Sequence, residues 1–315
     1  MKKLDETEII KIFQKGFGKK SFESEDVEII NLGKVKIVAK TDTLVESTDI
    51  PSKMELSDAA RKSVVACVSD FAAKGVKPKY GIISINLPKK ISRSKVNQIV
   101  LGFKKACKEF DISFIGGDTN EGKEVVFNVC LFGITDKIVT RKGSKKGDLI
   151  FVTGPFGYTS AGLSMMLDKK RGKEVFVKKA MKSVIHPKPK LDFGLKNKKY
   201  FSSSMDSSDG LSTTLNEMAN QSKKKFIINK IPALRDLEEF VKSYKLDLNE
   251  LVFNGGEEYE FIFTAPPEHK KIIEKNALQL KNNIIEIGHV TSGKGVYIEG
   301  ENNLIRLKDL GWKHF

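Results

Sequence analysis

Long apolar runs are missing from this chain of 315 residues. The longest, Glu124 to Ile134, falls well short of the roughly 20 residues that a membrane-crossing helix needs, so no bilayer span is expected. The opening Met1-Lys2-Lys3-Leu4-Asp5-Glu6 is not followed by an apolar stretch of signal-peptide length, and a cytoplasmic protein is expected. Cysteine is scarce. Cys67, Cys107 and Cys130 lie in apolar segments with no CxxC spacing and no even count, which leaves reduced core residues rather than disulfides or a zinc site. The four histidines, His186, His269, His289 and His314, show neither a nucleophile partner nor zinc spacing. A Walker lysine loop is absent too, and Gly154-Pro155-Phe156-Gly157 reads as a structural turn. No internal repeat is visible.

What the chain has in excess is lysine. Its formal charge is +15, spread over short runs such as Lys104-Lys105, Lys145-Lys146, Lys169-Lys170 and Lys223-Lys224-Lys225. Phosphate contacts from such runs give sequence-independent affinity for nucleic acid. Here the runs are scattered, with no arginine-rich tract or cluster of stacking aromatics, so they read as a solvated surface that also steers anionic ligands. Against this background the carboxylates stand out. Asp42, Asp70, Asp118, Asp206, Asp209, Glu257 and one of Glu25 or Asp26 sit at glycine-rich or strand-end turns. Mg²⁺ prefers oxygen ligands and keeps several waters, so an enzyme holding Mg²⁺ on phosphates needs dispersed acids that converge in the fold.

The length allows two domains, and the polar, basic stretch between Ile138 and Lys146 marks the boundary, giving 1–138 and 147–315. Val35 to Val38 reads as a strand ending near Lys40, with Asp42 just past it. From Ser57, which caps the start, apolar residues recur at helical spacing until Gly75, and Asp70 lies beside that stripe. Gly81 to Leu87 alternates as a strand, Ile91 to Phe110 as an amphipathic helix, and Ile112 to Ile115 as a short strand entering Gly116-Gly117-Asp118. Val125 to Ile134 is a further strand, and the order implies a helix-covered mixed sheet. Beyond the boundary come a strand over Leu149 to Val152, a glycine-rich turn, a helix from Ser160, and a basic region to Pro189. A strand into Met205, a helix from Leu211, a strand over Glu260 to Thr264 and a helix from Pro267 complete the pattern.

Asp206-Ser207-Ser208-Asp209-Gly210-Leu211 links a strand to a helix, and fits either a cation and phosphate site or a plain helix N-cap. Gly116-Gly117-Asp118-Thr119 fits either close approach of backbone to a ligand or a tight turn. Asn254-Gly255-Gly256-Glu257-Glu258-Tyr259-Glu260 repeats the glycine-acid theme, which makes coincidental capping harder to sustain. Asp70, an ionised carboxylate beside a buried stripe, needs a cation or hydrogen-bond donors.

Taken in order, these segments resemble the thiamine-monophosphate kinase family, within the superfamily of aminoimidazole ribonucleotide synthetase and selenophosphate synthetase. The matching pieces are Thr41-Asp42-Thr43-Leu44-Val45-Glu46, Val68-Ser69-Asp70-Phe71-Ala72-Ala73-Lys74-Gly75 and Gly116-Gly117-Asp118-Thr119. They continue with Thr140-Arg141-Lys142-Gly143, Met205 to Leu211, Gly255 to Glu260, and the closing Gly311-Trp312-Lys313-His314-Phe315. The resemblance implies an α+β, two-domain aminoimidazole ribonucleotide synthetase-like fold. Its N-terminal mixed sheet pairs into a barrel in a homodimer, and its C-terminal domain is an α/β-type sandwich. It further implies transfer of the γ-phosphate of ATP to thiamine monophosphate, assisted by several Mg²⁺ ions, with no protein nucleophile or base.

By the same resemblance Glu25 or Asp26, Thr41, Asp42, Asp70, Asp118, Asp206 and Asp209 become Mg²⁺ ligands. Gly117, Asp118, Arg141 and Ser208 contact ATP, and Asp49, Glu257 and Trp312 contact the substrate. The chain departs from the family pattern in three places. Ser24-Glu25-Asp26 replaces Gly-Asp-Asp, Lys40 stands where a hydroxyl residue is common, and Asp49 where many members have histidine. Another ATP-dependent enzyme of the superfamily and a non-catalytic nucleotide- or RNA-binding relative are the competing expectations.

Overall fold

The structure, a computed structural model, describes residues 4–18, 24–168 and 170–313; His314 and Phe315 of the closing motif lie outside the described residues. The first half runs α1 (Glu6–Gly16), β1 (Glu28–Leu32), β2 (Val35–Val45), α2 (Glu46–Asp49), α3 (Leu56–Lys74), β3 (Pro78–Pro88), α4 (Arg93–Phe110), β4 (Ser113–Gly122) and β5 (Val126–Thr135). The second runs β6 (Leu149–Val152), α5 (Tyr158–Leu167), α6 (Glu174–Ile185), α7 (Leu191–Asn197), β7 (Ser203–Asp206), α8 (Leu211–Ser222), β8 (Lys225–Ile228) and α9 (Arg235–Tyr244). It closes with β9 (Phe261–Ala265), α10 (Lys270–Gln279), β10 (Ile285–Thr291), β11 (Gly295–Glu299) and β12 (Leu304–Arg306). Two mixed sheets result. One is ordered β1-β2-β5-β3-β4 and the other β12-β11-β8-β10-β6-β9-β7.

Helix α3 joins the two sheets. It touches β2 and β5 of the first sheet and β7 and β9 of the second, with α4 and α7 on its flanks. A helix covered on every side needs small or apolar residues all round, and Ala59, Ala60, Val64, Val65, Val68, Phe71, Ala72 and Ala73 supply them. Gly75 ends the helix in the left-handed conformation, at φ 63°. One apolar cluster therefore runs from Phe71 through Phe193 to Phe261 and Phe263, so residues from both halves share a core. Truncating a buried phenylalanine such as Phe71 to alanine costs about 3–5 kcal/mol in cores of this kind. A second cluster, with Ile150, Leu215, Phe226 and Ile287, belongs to the second sheet alone.

Several local expectations need correction. β2 continues to Val45, so Asp42 lies inside the strand; paired along its length with β5, it has no reason to stop at Lys40. Gly116-Gly117-Asp118 is not a turn but part of β4, in parallel register with β3. Helix α3 starts at Leu56 after Glu55, without a side-chain cap from Ser57. The region read only as basic before Pro189 contains α6, whose Phe176, Ala180 and Val184 are buried beneath its lysines.

The alternation of the first sheet fixes which residues can meet. Val38 and Leu44 point toward α3, and Lys40 and Asp42 share their face. Thr41 and Thr43 point away. On that far face Ile30, Leu32, Val35, Tyr80, Ile82 and Ile134 are exposed, an apolar surface that nothing among the described residues covers.

Candidate active site

Buried polar residues on α3 open onto the seam between the sheets. Asp70, near its C-terminal end, meets Asp206 from the end of β7 and Asp26 from the segment before β1. Carboxylate oxygens of all three lie within 4.8 Å of one another, and all three residues are buried. Asp26 is bracketed by cations, with Lys74 Nζ at 2.7 Å and the Arg141 guanidinium at 2.5 Å. Burial opposes its ionisation, yet Lys74 and Arg141 hold its carboxyl below the usual range. For the other two acids the nearby cations, Lys40 for Asp70 and Lys40 and Arg141 for Asp206, do not outweigh burial and the neighbouring acids. Burial, then the neighbouring Asp206 charge, pushes Asp70 well above its ordinary pKa; burial, then Asp26, raises Asp206 to about 7.

Lys40 extends the cluster on the other side. Its Nζ lies 3.0 Å from Asp70 and 3.8 Å from Asp42, so Asp42 joins the group through an ammonium rather than directly. Glu25 is not one of the three converging acids. Its carboxylate pairs with Lys74 Nζ at 2.7 Å and accepts from the Arg141 main-chain N–H. Of the two candidates at the first position, Asp26 is the one that faces the cluster.

A second group of expected residues is stitched together beside the first. Ser208 and Asp209 are exposed in the turn between β7 and α8. The Ser208 carbonyl accepts the Glu257 N–H at 2.6 Å, and the Asp209 carbonyl accepts the Trp312 N–H at 2.8 Å. Glu257, at φ 61° in the left-handed region, sends its carboxylate to Lys62 Nζ at 2.6 Å. The same ammonium donates to the Asp49 carbonyl at 3.3 Å, so Asp49, Glu257 and Trp312 are linked through named bonds. The Asp49 carboxylate itself accepts the Val45 N–H at 2.7 Å, a local tie. Helix α8 follows Gly210 with no side-chain cap, so the capping alternative for the Asp206 to Gly210 turn is not realised. An uncapped helix start suits a phosphate oxygen.

Three expected residues stand apart within one chain. Thr41 lies on the far face of β2, so its side chain does not face the acids. Asp118 is exposed on β4 and accepts from the Asn120 amide at 2.8 Å. It is three strands from Asp42 across the sheet, on the order of 14 Å at the usual strand spacing. Gly117 is required by packing: a Cβ there would stand 2.0 Å from the Ile83 carbonyl oxygen.

Sequence reasoning assigned no role to Lys62 or Lys74, both fully buried and both paired with expected site acids. Their signal was present: lysines inside an otherwise apolar helix. Ser207 Oγ, buried between Asp206 and Ser208, has no hydrogen-bond partner among the described residues.

The donor set is all oxygen, two of its three acids are destabilised as they stand, and a buried hydroxyl beside them is unpartnered. Those properties fit a hard divalent cation. Among the described residues no helix is long and apolar enough to cross a membrane.

The AIR synthase related protein N-terminal domain profile matches residues 24–135, and the C-terminal domain profile matches residues 145–301. A thiamine-monophosphate kinase of Nitrosopumilus maritimus is 68% identical over 315 residues, covering 100% of both chains. One from Pyrococcus horikoshii is 32% identical, covering 100% of this chain and 97% of its own. Among solved structures, one described as AaThiL complexed with AMPPCP and TMP superposes with a TM-score of 0.88 at 30% identity, covering 100% of this chain and 98% of that one.

Proposed function

The chain belongs to the AIR synthase related proteins and, within them, to the thiamine-monophosphate kinases, and from that premise we propose how its own residues carry out the reaction. The enzyme phosphorylates thiamine monophosphate to thiamine diphosphate with ATP as donor. The observation that carries the assignment of roles is the meeting of Asp26, Asp70 and Asp206 at the seam between the sheets.

Asp26, Asp70 and Asp206 hold Mg²⁺ in this proposal, with Asp42 at the rim and Asp209 at the mouth. The metal supplies charge neutralisation for the polyphosphate and a template for in-line attack. Arg141, fixed by Asp26 and by Ser24, keeps its guanidinium beside the acids, placed to offset charge developing on the transferred phosphoryl group. Ser208 and the uncapped start of α8 receive phosphate oxygens. Glu257, braced by Lys62, and Trp312, tied to the same turn, orient thiamine monophosphate. The attacking phosphate is already ionised at neutral pH, so no side chain has to remove a proton, and none is assigned as base or nucleophile.

Asp118, Thr41 and Gly117 enter through a dimer. The exposed apolar face bearing Ile30, Val35, Tyr80, Ile82 and Ile134 supports pairing of two first sheets, with Asp118 near the join. A cytoplasmic location is part of the same proposal, since the reaction draws on ATP. The division into a first domain over 1–138 and a second over 147–315 is proposed from the two sheets and the two matching profiles.

The test is direct. Purified protein given ATP, Mg²⁺ and thiamine monophosphate forms thiamine diphosphate, resolved by anion-exchange chromatography. Product no higher than in an enzyme-free control overturns the assignment.

A further inference from the structure

Lys40 is an unusual occupant of an acid cluster. It lies on β2, between β1 and β5, on the strand face that α3 covers. Its ammonium stands between two carboxylates, 3.0 Å from Asp70 and 3.8 Å from Asp42, and only 25% of the side chain is accessible. Asp70 itself is 4% accessible, so this is a contact made inside the protein and not a surface pair.

The positive charges divide the cluster into separate zones. Asp26 has Lys74 and Arg141. Asp42 and Asp70 share Lys40. Asp206 has no cation within ion-pair distance among the described residues, although it has carboxylate oxygens within 4.8 Å of those of Asp26 and Asp70. A divalent ion is therefore wanted on the Asp26, Asp70 and Asp206 side. The side between Asp42 and Asp70 already carries a monovalent one.

Resting on the metal-centre reading given above, we propose that the Lys40 ammonium takes the place of one divalent cation between Asp42 and Asp70. The active site then binds one metal ion fewer than the same site with a neutral residue at position 40. An ammonium has three donors at about the distance found here and, unlike a hydrated metal ion, does not have to be recruited from solution. Its single charge neutralises less of the triphosphate, which leaves Arg141 and the remaining metal a larger share.

Full-length protein saturated with the ATP analogue AMPPCP is titrated with Mn²⁺, and tightly bound ions per protomer are counted by electron paramagnetic resonance. Lys40→Ser and Lys40→Met should each bind one ion more than wild type, and Lys40→Arg the same number as wild type. Equal counts in wild type, Lys40→Ser and Lys40→Met overturn the proposal. A measurement independent of variant folding is the anomalous scattering of Mn²⁺ in crystals of the wild-type complex. A peak among Asp26, Asp70 and Asp206 with none between Asp42 and Asp70 supports the proposal, and a peak between Asp42 and Asp70 overturns it. No tight Mn²⁺ in any variant or in the crystal removes the metal-centre reading itself, and this proposal with it.

Discussion

Lys62 Nζ lies 2.6 Å from Glu257 Oε1, although the lysine is wholly buried in the joining helix and the glutamate belongs to a loop of the second half. A buried ammonium is costly unless paired, so this contact fixes the loop that presents Glu257. Lys62→Met leaves Glu257 without its brace. We expect a stability loss of about 3 kcal/mol by urea unfolding and a rise of about tenfold or more in KM for thiamine monophosphate. An unchanged KM would remove Lys62 from substrate positioning.

Asp26 and Glu25 share Lys74, but only Asp26 reaches the other two acids. Asp26 faces Asp70 and Asp206, whereas Glu25 pairs with Lys74 and the Arg141 backbone. Asp26→Asn should lower kcat by about 100-fold or more, and Glu25→Gln by about tenfold or less. Steady-state kinetics at saturating Mg²⁺ decides between them; the reverse order would assign the metal to Glu25.

Much of the fold was legible because its signals are local. Gly75 as a helix end, Leu149 to Val152 as a strand and the helix after Asp206-Ser207-Ser208-Asp209-Gly210 all follow from residues near in sequence. Long-range pairing was not legible. β2 outruns its β-branched segment because β5 lies alongside it, and Gly116-Gly117 reads as a turn until the Ile83 carbonyl shows why side chains are excluded. The site acids were visible as carboxylates read at glycine-rich or strand-end turns, but the lysines that organise them were not. Lys62 and Lys74 look like any lysine until their helix is found to be covered on every side.

Gly117→Ala separates packing from ligand contact. The added Cβ meets the Ile83 carbonyl at 2.0 Å, so the β3–β4 pairing must give. We expect about 1–3 kcal/mol of lost stability in urea without nucleotide present. Stability equal to wild type, with weakened ATP binding alone, would restore a purely ligand-facing role.

Glu258 gives a pH dependence. It accepts the Gly157 and Thr159 N–H groups, and burial raises its carboxyl to about 7 from an ordinary 4.5. Between those values the folded state keeps a proton that the unfolded chain has lost, so this group's contribution to stability falls as pH rises from about 4.5 to 7 and is level above. The loss is on the order of 3 kcal/mol, and Glu258→Gln should abolish it while keeping an acceptor for both amides. Urea unfolding at pH 5, 6, 7 and 8 (about one unit apart, spanning the transition) checks this; parallel curves for wild type and variant would refute it.

The convergence of Asp26, Asp70 and Asp206 around a catalytic cation is tested most directly by phosphorus NMR of ATP, Mg²⁺ and thiamine monophosphate with wild type and with Asp206→Asn. The wild-type enzyme should generate the thiamine diphosphate resonances. The variant, folded by circular dichroism, should do so at least about 100-fold more slowly. Turnover by Asp206→Asn at the wild-type rate would contradict the account.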